Sequence, residues 1–321
     1  MNRRPGVTLI EVLAAIFITG VGLMALLTLF PLGALSMAQA VKDDRTGHAH
    51  ANAQAIANAP LYVDPSTTPP SYLPLRRDPR LLQTMQSAAQ VNPQGPGYPV
   101  FVDPIGVLAY QNSPAAQWVA GQAGGVPRRT PSFLQGKLAQ QIIPWTTLLD
   151  DLGFNTDGDP QGQPAQVAGT LAIQRQLKYS WAWLLRMPNV GNPSRVELDV
   201  VVFSGRPLDS LGVNAGLEPS GEAAYTAYFT PGGQSATLTW PAGQDPPAVR
   251  RGGWLLDATM APAPHGWFYR VVDVTDNGNN SMTVEVQIPF RGSFNADPNT
   301  GLPVGQVVVI DNVAEVFENL Y

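Results

Sequence analysis

The sequence predicts an α+β protein in which a long N-terminal transmembrane α-helix is followed by an antiparallel, β-rich globular domain. The first observation is the stretch Val12–Val41, whose 30 residues carry no formal charge. The second is an alternation of apolar and polar residues that begins near Leu177, as in strands with one buried face. The third is the lack of alternating strand and helix patterns, which favours antiparallel over parallel pairing.

The composition excludes several classes of function. The chain of 321 residues is 44% hydrophobic, which is enough for a core, and contains no cysteine. Disulfides, thiolate metal sites and cysteine nucleophiles are therefore excluded. The net charge of −5 gives no general attraction to nucleic acid, and no such partner is predicted. We interpret the scattered pairs Arg76-Arg77, Arg128-Arg129 and Arg250-Arg251 as solvated surface charge.

The apolar stretch is long enough to cross a membrane. As a helix rising ~1.5 Å per residue, Val12–Val41 would extend about 45 Å, more than the ~30 Å hydrocarbon core of a bilayer. We place the transmembrane part at about residues 9–36. Arg3 and Arg4 precede it, so the positive-inside rule puts the N-terminus in the cytoplasm and the globular domain outside it.

Glu11 lies where this apolar helix begins. An acid in this position costs a few kcal/mol if it is left unpaired in lipid, so it needs an explanation. One interpretation places Glu11 at the membrane surface, where it stays hydrated and has no role. The other pairs it with a positive charge that arises only after processing.

The residues Gly6-Val7-Thr8-Leu9-Ile10-Glu11, between a short basic leader and a long apolar helix, resemble the class III signal of type IV pilins and type II secretion pseudopilins. The resemblance implies that prepilin peptidase cleaves after Gly6 and methylates the new amine of Val7. It also implies that Glu11 neutralises the Val7 ammonium of a neighbouring subunit during assembly. The chain departs from the usual pattern at Val7, where Phe is most common.

By this resemblance we expect a non-enzymatic subunit of a type II secretion pseudopilus or type IV pilus-like filament. It would lie in the bacterial inner membrane, with its globular domain in the periplasm, and its partners would be prepilin peptidase, other pilin-like subunits and membrane lipid. The alternative is a membrane-anchored or secreted binding domain or enzyme with a pilin-like leader. Ala38-Gln39-Ala40 also fits a signal-peptidase site, which would give a mature start at Val41, and an uncleaved anchor would start at Met1.

We divide the chain into a leader (1–6), an N-terminal helix (7–59) ended by Pro60, a loop-rich and helical region (60–165) and the β-rich domain (166–321). The loop-rich region is expected to hold helices near Arg80–Gln90 and Trp145–Leu152, with one strand near Tyr98–Val102 in an otherwise irregular stretch from 91 to 136. The predicted strands of the β-rich domain are Tyr179–Met187, Val196–Val202, Ala223–Phe229, Ser235–Trp240, Gly253–Asp257, Trp267–Val274, Met282–Ile288 and Gln306–Asp311. The pair Asn277-Gly278 is expected to form the hairpin turn between the sixth and seventh of these strands.

The external region shows no catalytic motif on which to base an enzymatic function. His265 lies in a proline-rich turn and is interpreted as structural. Asn155, Asp157 and Asp159 alternate like the first ligands of a calcium loop, but Pro160 and Gln166 replace the glycine and acid that such a loop needs. We therefore prefer a turn-forming cluster there and predict no cofactor, with calcium as the alternative. Trp181 and Trp183 are expected on one face of a strand.

Overall fold

The structure is a computed structural model. It describes residues 9–64, 68–69, 71–90, 92–109, 118–119, 125–137, 139–148, 166–167, 170–171, 178–206, 221–230 and 232–319. The chain divides into two units, Met1–Gly47 and His48–Tyr321. The helices are α1 (Leu9–Asn58), α2 (Pro79–Gln86), α3 (Pro104–Ala109) and α4 (Ala139–Ile142), with 3-10 turns at Leu75–Arg77, Ser87–Gln90, Ser132–Leu134 and Ile143–Trp145.

The strands belong almost entirely to two sheets. They are β1 (Tyr62–Asp64), β2 (Ser71–Leu73), β3 (Val100–Val102), β4 (Trp118–Val119), β5 (Val126–Arg129), β6 (Gln166–Val167), β7 (Thr170–Leu171), β8 (Tyr179–Arg186), β9 (Glu197–Ser204), β10 (Glu222–Phe229), β11 (Ser235–Thr239), β12 (Trp254–Asp257), β13 (Trp267–Gly278), β14 (Ser281–Val286), β15 (Asn295–Ala296), β16 (Pro303–Ile310) and β17 (Val313–Asn319). Each strand predicted from residue 179 onward is present, and β17 was not predicted.

The helix α1 ends where the sequence predicts. Its last residue is Asn58, two residues before Pro60, and the amide of Ala59 still donates to the carbonyl of Ala55 at 2.9 Å. The residue before a proline disfavours α geometry, which explains the position of the end.

The C-terminal turns of α1 pack on a six-stranded sheet with the spatial order β17-β9-β8-β3-β5-β4. Ala49, Ala53 and Ala57 are fully buried there. Their spacing of four places them on one face, and their small side chains let the helix approach closely. The indole nitrogen of Trp183 donates to the carbonyl oxygen of Ala53 at 3.0 Å. Trp181 and Trp183 share this face, as predicted.

The second sheet closes into a barrel. Its strands follow the order β10-β11-β14-β13-β12-β16, and β16 also pairs with β10. Every pair around this ring is antiparallel. The strands β12, β13 and β14 are consecutive neighbours and β16 returns beside β12, which is a Greek key. The prediction of antiparallel pairing is thus confirmed for the barrel, whereas β3 and β5 of the first sheet are parallel.

The first sheet lies between α1 and the barrel, so both of its faces are buried. One face packs with Ala49, Ala53 and Ala57, and the other face, which includes Ala182 and Val201, packs on the outside of the barrel. Every residue of β8 is therefore buried, as is every residue of β9 except its last. The expectation that the strand at Val196–Val202, now β9, has only one buried face is wrong.

Glu197 and Asp199 of β9 are buried at the junction between the sheet and the barrel. The guanidinium of Arg186 donates to Asp199 at 2.9 Å and to the carbonyl of Gly266 at 3.0 Å. It also lies 3.8 Å from the ring of Trp267, which belongs to the barrel. One arginine thus provides part of the compensation that these buried carboxylates need, although Glu197 Oε2 and Asp199 Oδ2 have no hydrogen-bond partner among the described residues.

A second buried ionic cluster corrects the interpretation of Arg128 as surface charge. Arg128 is 1% exposed and donates to both carboxylate oxygens of Glu222, at 2.5 and 2.6 Å. Arg206 donates to both oxygens of Asp103, at 2.8 and 2.6 Å. Because these cations outweigh the cost of burial, the pKa of Asp103 is lowered to about 2.

Three local predictions need correction. The β13–β14 turn lies at Asn279-Asn280, whose φ angles are 52° and 55°, two residues beyond Asn277-Gly278. Of the helix predicted at Trp145–Leu152, residues 146–148 are not helical and 149–152 lie outside the described residues, whereas α4 and a 3-10 turn that ends at Trp145 occur just before them. The stretch from 91 to 136 holds α3, β4 and β5 in addition to β3, its one predicted strand.

Replacing Arg128 by methionine should lower the free energy of unfolding by about 3–5 kcal/mol, because buried carboxylates lose a cation that they share. Chemical denaturation of the detergent-solubilised chain, followed by tryptophan fluorescence, measures this loss. The exposed Arg250→Met is the matched control and should change stability by less than about 0.5 kcal/mol. Equal effects of the two substitutions would contradict the structural role of Arg128.

Asp199 should make the stability depend on pH. Burial raises its pKa to about 7, although Arg186 opposes the shift, whereas an unfolded aspartate titrates near ~3.9. Between these values the folded state binds more protons, so the free energy of unfolding should fall as pH rises, by up to about 4 kcal/mol. Because the side chain in Asp199→Asn cannot ionise, the free energy of unfolding of this variant relative to that of the natural chain should increase from pH 4 to pH 8. Denaturation curves at both pH values measure this difference, and a difference that does not change with pH would refute the prediction.

Candidate functional site

The N-terminal part of α1 carries the residues that the sequence singles out. Arg3, Arg4, Gly6 and Val7 lie outside the described residues. Glu11 lies in the first described turn of α1 and is exposed. An acid in the first turn of a helix interacts favourably with the helix dipole, so Glu11 is compatible with the helix that it opens.

The surface of this helix is apolar throughout. Every residue from Leu9 to Asp44 is exposed, including large side chains such as Phe17 at 72% and Phe30 at 79%. Among the described residues, α1 is the one helix that is long and apolar enough to cross a membrane, a criterion that an N-terminal signal sequence also meets. A surface of this kind requires lipid or other apolar helices around it.

The polar groups of the apolar stretch are suited to such surroundings. The hydroxyl of Thr19 donates to the carbonyl of Ala15 at 2.7 Å, and that of Thr28 donates to the carbonyl of Ala25 at 2.8 Å. Both hydroxyl protons are thus satisfied within the helix, and lipid could not provide such bonds.

Small residues leave gaps on the same surface. A Cβ atom added at Gly20, Gly22 or Gly33 would meet nothing within 4 Å. Small residues allow the backbones of two membrane helices to approach closely. The helix continues without a break through Pro31, so the segment from Gly20 to Pro31 is helical in the single chain.

The calcium candidates Asn155, Asp157 and Asp159 lie outside the described residues. Within the part of the chain that the structure does describe, no group of three or more His, Asp or Glu side chains could hold a metal ion. The preferred interpretation of this loop as a turn-forming cluster stays a prediction, with calcium binding as its alternative.

His265 forms a pair with Asp257 that resembles part of a catalytic triad. Its Nδ1 atom lies 2.9 Å from a carboxylate oxygen of Asp257, and both side chains are buried. A triad would need a nucleophile at the opposite ring nitrogen, Nε2. There the backbone of Gly292 is so close that a Cβ atom would collide with the ring. The space in front of Nε2 is closed to a substrate, and the pair fixes the turn that precedes β13.

The contact between α1 and the sheet is the functional feature that sequence reasoning missed. Ala49, Ala53 and Ala57 repeat at intervals of four, which could have indicated a close helix contact. Nothing local in the sequence indicates Trp183 as their partner, because 130 residues separate it from Ala53.

The comparisons with known proteins concern the N-terminal segment. Residues 1–27 match the family described as the prokaryotic N-terminal methylation motif. No curated protein and no solved structure matches the chain. The family match includes Gly6, Val7 and Glu11 and confirms the predicted resemblance. The N-terminal segment of the chain is therefore similar to that of a type IV pilin-like precursor.

Proposed function

We propose that the chain is a structural, pilin-like subunit that prepilin peptidase cleaves after Gly6 and methylates on Val7. The observation that carries the proposal is the methylation motif at residues 1–27. It is followed directly by a helix whose apolar surface is exposed from Leu9 to Asp44. A leader that only directed secretion would not require so long an apolar surface, because the apolar region of a signal peptide has about 7–15 residues.

Processing would create a positive charge with which Glu11 can pair. Cleavage removes Arg3 and Arg4 and leaves a positively charged amine on Val7. Glu11 of one subunit would pair with this amine on the next subunit. Either charge alone is costly in apolar surroundings, whereas the pair is less so, and the pair forms at only one axial offset between neighbouring helices.

The association of the helices would come from their packing. Gly20, Gly22 and Gly33 leave room for a neighbouring backbone, and close approach increases van der Waals contact between membrane helices. The filament would be a type II secretion pseudopilus or a type IV pilus-like fibre. It would rise from the bacterial inner membrane, with the unit His48–Tyr321 outside the cytoplasm.

The mature N-terminus tests the processing. Protein recovered from cells that contain a prepilin peptidase should begin at an N-methylated Val7, as read by N-terminal sequencing and mass spectrometry. Without the peptidase it should begin at Met1. A start at Val41 would identify a secretory signal, and a start at Met1 in the presence of the peptidase would identify an uncleaved anchor. Either of these results would refute the proposal.

The pairing mechanism predicts a defect in assembly without a defect in insertion. Since the chain has no cysteine, a single Leu23→Cys substitution gives a clean crosslinking site in the apolar helix. A reagent that joins this thiol to an amine of a neighbouring chain should produce a ladder of oligomers, because every chain then carries both reactive groups, and Glu11→Ala should abolish the ladder while membrane insertion persists. The matched control is Asp43→Asn, which removes an exposed acid from the same helix beyond the apolar stretch. An unchanged ladder in Glu11→Ala would disprove the pairing.

A further inference from the structure

Four arginines form a patch on the unit His48–Tyr321. Arg76 and Arg77 end a 3-10 turn, Arg80 lies in the first turn of α2, and Arg129 ends β5. We call these four residues the arginine patch. Arg77 and Arg80 are exposed, whereas Arg76 and Arg129 are half-buried.

A buried aspartate holds the two parts of the patch together. Asp78 caps α2 by accepting from the amide of Arg80 at 3.0 Å. It also accepts from the amide and the hydroxyl of Ser132, both at 2.7 Å, three residues beyond Arg129. Burial, and then the charge of Arg80, lowers the pKa of Arg129, as expected for like charges that are held close together.

Among the described residues, no carboxylate lies within 4.0 Å of a guanidinium nitrogen of these four arginines. In the described parts of the chain, the ion pairs within 4.0 Å involve other arginines and not these four. The oxygens of Asp78 are occupied by Ser132 and the α2 amide, and the Nε atom of Arg76 is buried without a hydrogen-bond partner. In a chain whose net charge is −5, such a cluster is suited to an acidic partner.

The hairpin formed by β13 and β14 carries the opposite charge. Its residues from Thr275 to Asn280 are exposed. Asp273 lies directly across from Glu285 in the strand pairing, and like charges opposite each other destabilise a hairpin. Arg251 pairs with Asp273, but among the described residues no cation lies within 4.0 Å of Glu285 or of Asp276 near the tip.

We propose that the arginine patch of one copy binds the acidic β13–β14 hairpin of a second copy. The guanidinium fork of arginine matches a carboxylate in two parallel hydrogen bonds. Because the two surfaces are different, the contact is head-to-tail. Each copy can bind one neighbour through its arginine patch and a second through its hairpin, as a fibre requires. The inference rests on the proposed function, since shared assembly through α1 would bring the copies side by side.

Crosslinking between two cysteine variants of the full chain tests the contact. Gln83 is exposed one turn beyond Arg80, and Thr275 is exposed on the hairpin. Gln83→Cys and Thr275→Cys chains with different tags, expressed together, should form a mixed disulfide under mild oxidation. Gln83→Cys with the exposed Gln244→Cys is the matched control and should form none. The proposal would be overturned if the Gln83–Thr275 crosslink did not form, or if it formed to the same extent as the Gln83–Gln244 crosslink.

Charge reversal identifies the partner surface. Arg77→Glu with Arg80→Glu, or Asp276→Lys with Glu285→Lys, should each lower the yield of the Gln83–Thr275 crosslink about tenfold, equivalent to ~1.4 kcal/mol. Combining a reversed patch on one chain with a reversed hairpin on the other should restore it. Lys178→Glu with Arg195→Glu, which makes the same change in charge at exposed positions away from both surfaces, should have no effect. A yield that the reversals do not lower, or that their combination does not restore, would refute the contact.

The Leu23→Cys ladder separates this inference from the proposed function. A ladder without the patch–hairpin crosslink would overturn the contact and leave assembly through α1 intact. If chains without any charge substitution formed neither the ladder nor the Gln83–Thr275 crosslink, both proposals would be overturned.

Discussion

The apolar stretch Val12–Val41 must be kept from water, and this constraint governs the rest of the protein. Everything from Leu9 to Asp44 is exposed, whereas Ala49, Ala53 and Ala57 of the same helix are fully buried. One continuous helix therefore supplies part of a globular core and an apolar surface that needs other surroundings. The fold is complete only when lipid or neighbouring helices cover that surface.

In the globular unit, the six-stranded sheet is covered on both faces, so charged side chains on it must find partners inside the protein. The strands β8 and β9 lie between the helix layer and the barrel, and charged side chains occur where these layers meet. Arg186 stacks on Trp267 of the barrel at 3.8 Å and donates to Asp199 of the sheet at 2.9 Å. Such an arrangement specifies how the layers fit, because a shift of either layer would leave a buried charge unpaired.

The sequence was a good guide to local structure and to the N-terminal motif. Apolar periodicity located β8 and the strands of the barrel, and Pro60 located the end of α1, because these signals depend on neighbouring residues. The burial of Asp199 and Arg128 could not be predicted in this way. Each looks like an ordinary surface charge, and its partners lie on elements that only tertiary contacts bring together.

Long-range pairing was the other limit of sequence reasoning. The strands β10 and β16 were both predicted, but their mutual pairing closes the barrel across a large separation in the chain. The turn at Asn279-Asn280 lies two residues beyond the expected Asn277-Gly278 because Gly278 takes a positive φ within an irregular part of the pairing. For the candidate site, the motif located Glu11, while the alanine face and Trp183 emerged only from the packing.

Closure of the barrel matters for a protein that is proposed to be held in a membrane plane. Each of its six strands has a neighbour on both sides within the ring, so the ring has no edge strand, although the outer part of β13, beyond its pairing with β12, has one open side. Proteins crowded in two dimensions collide often, and open strand edges are where such collisions lead to aggregation. Collisions between the closed parts of two barrels therefore involve side chains, and specific charge patterns decide which of these collisions persist.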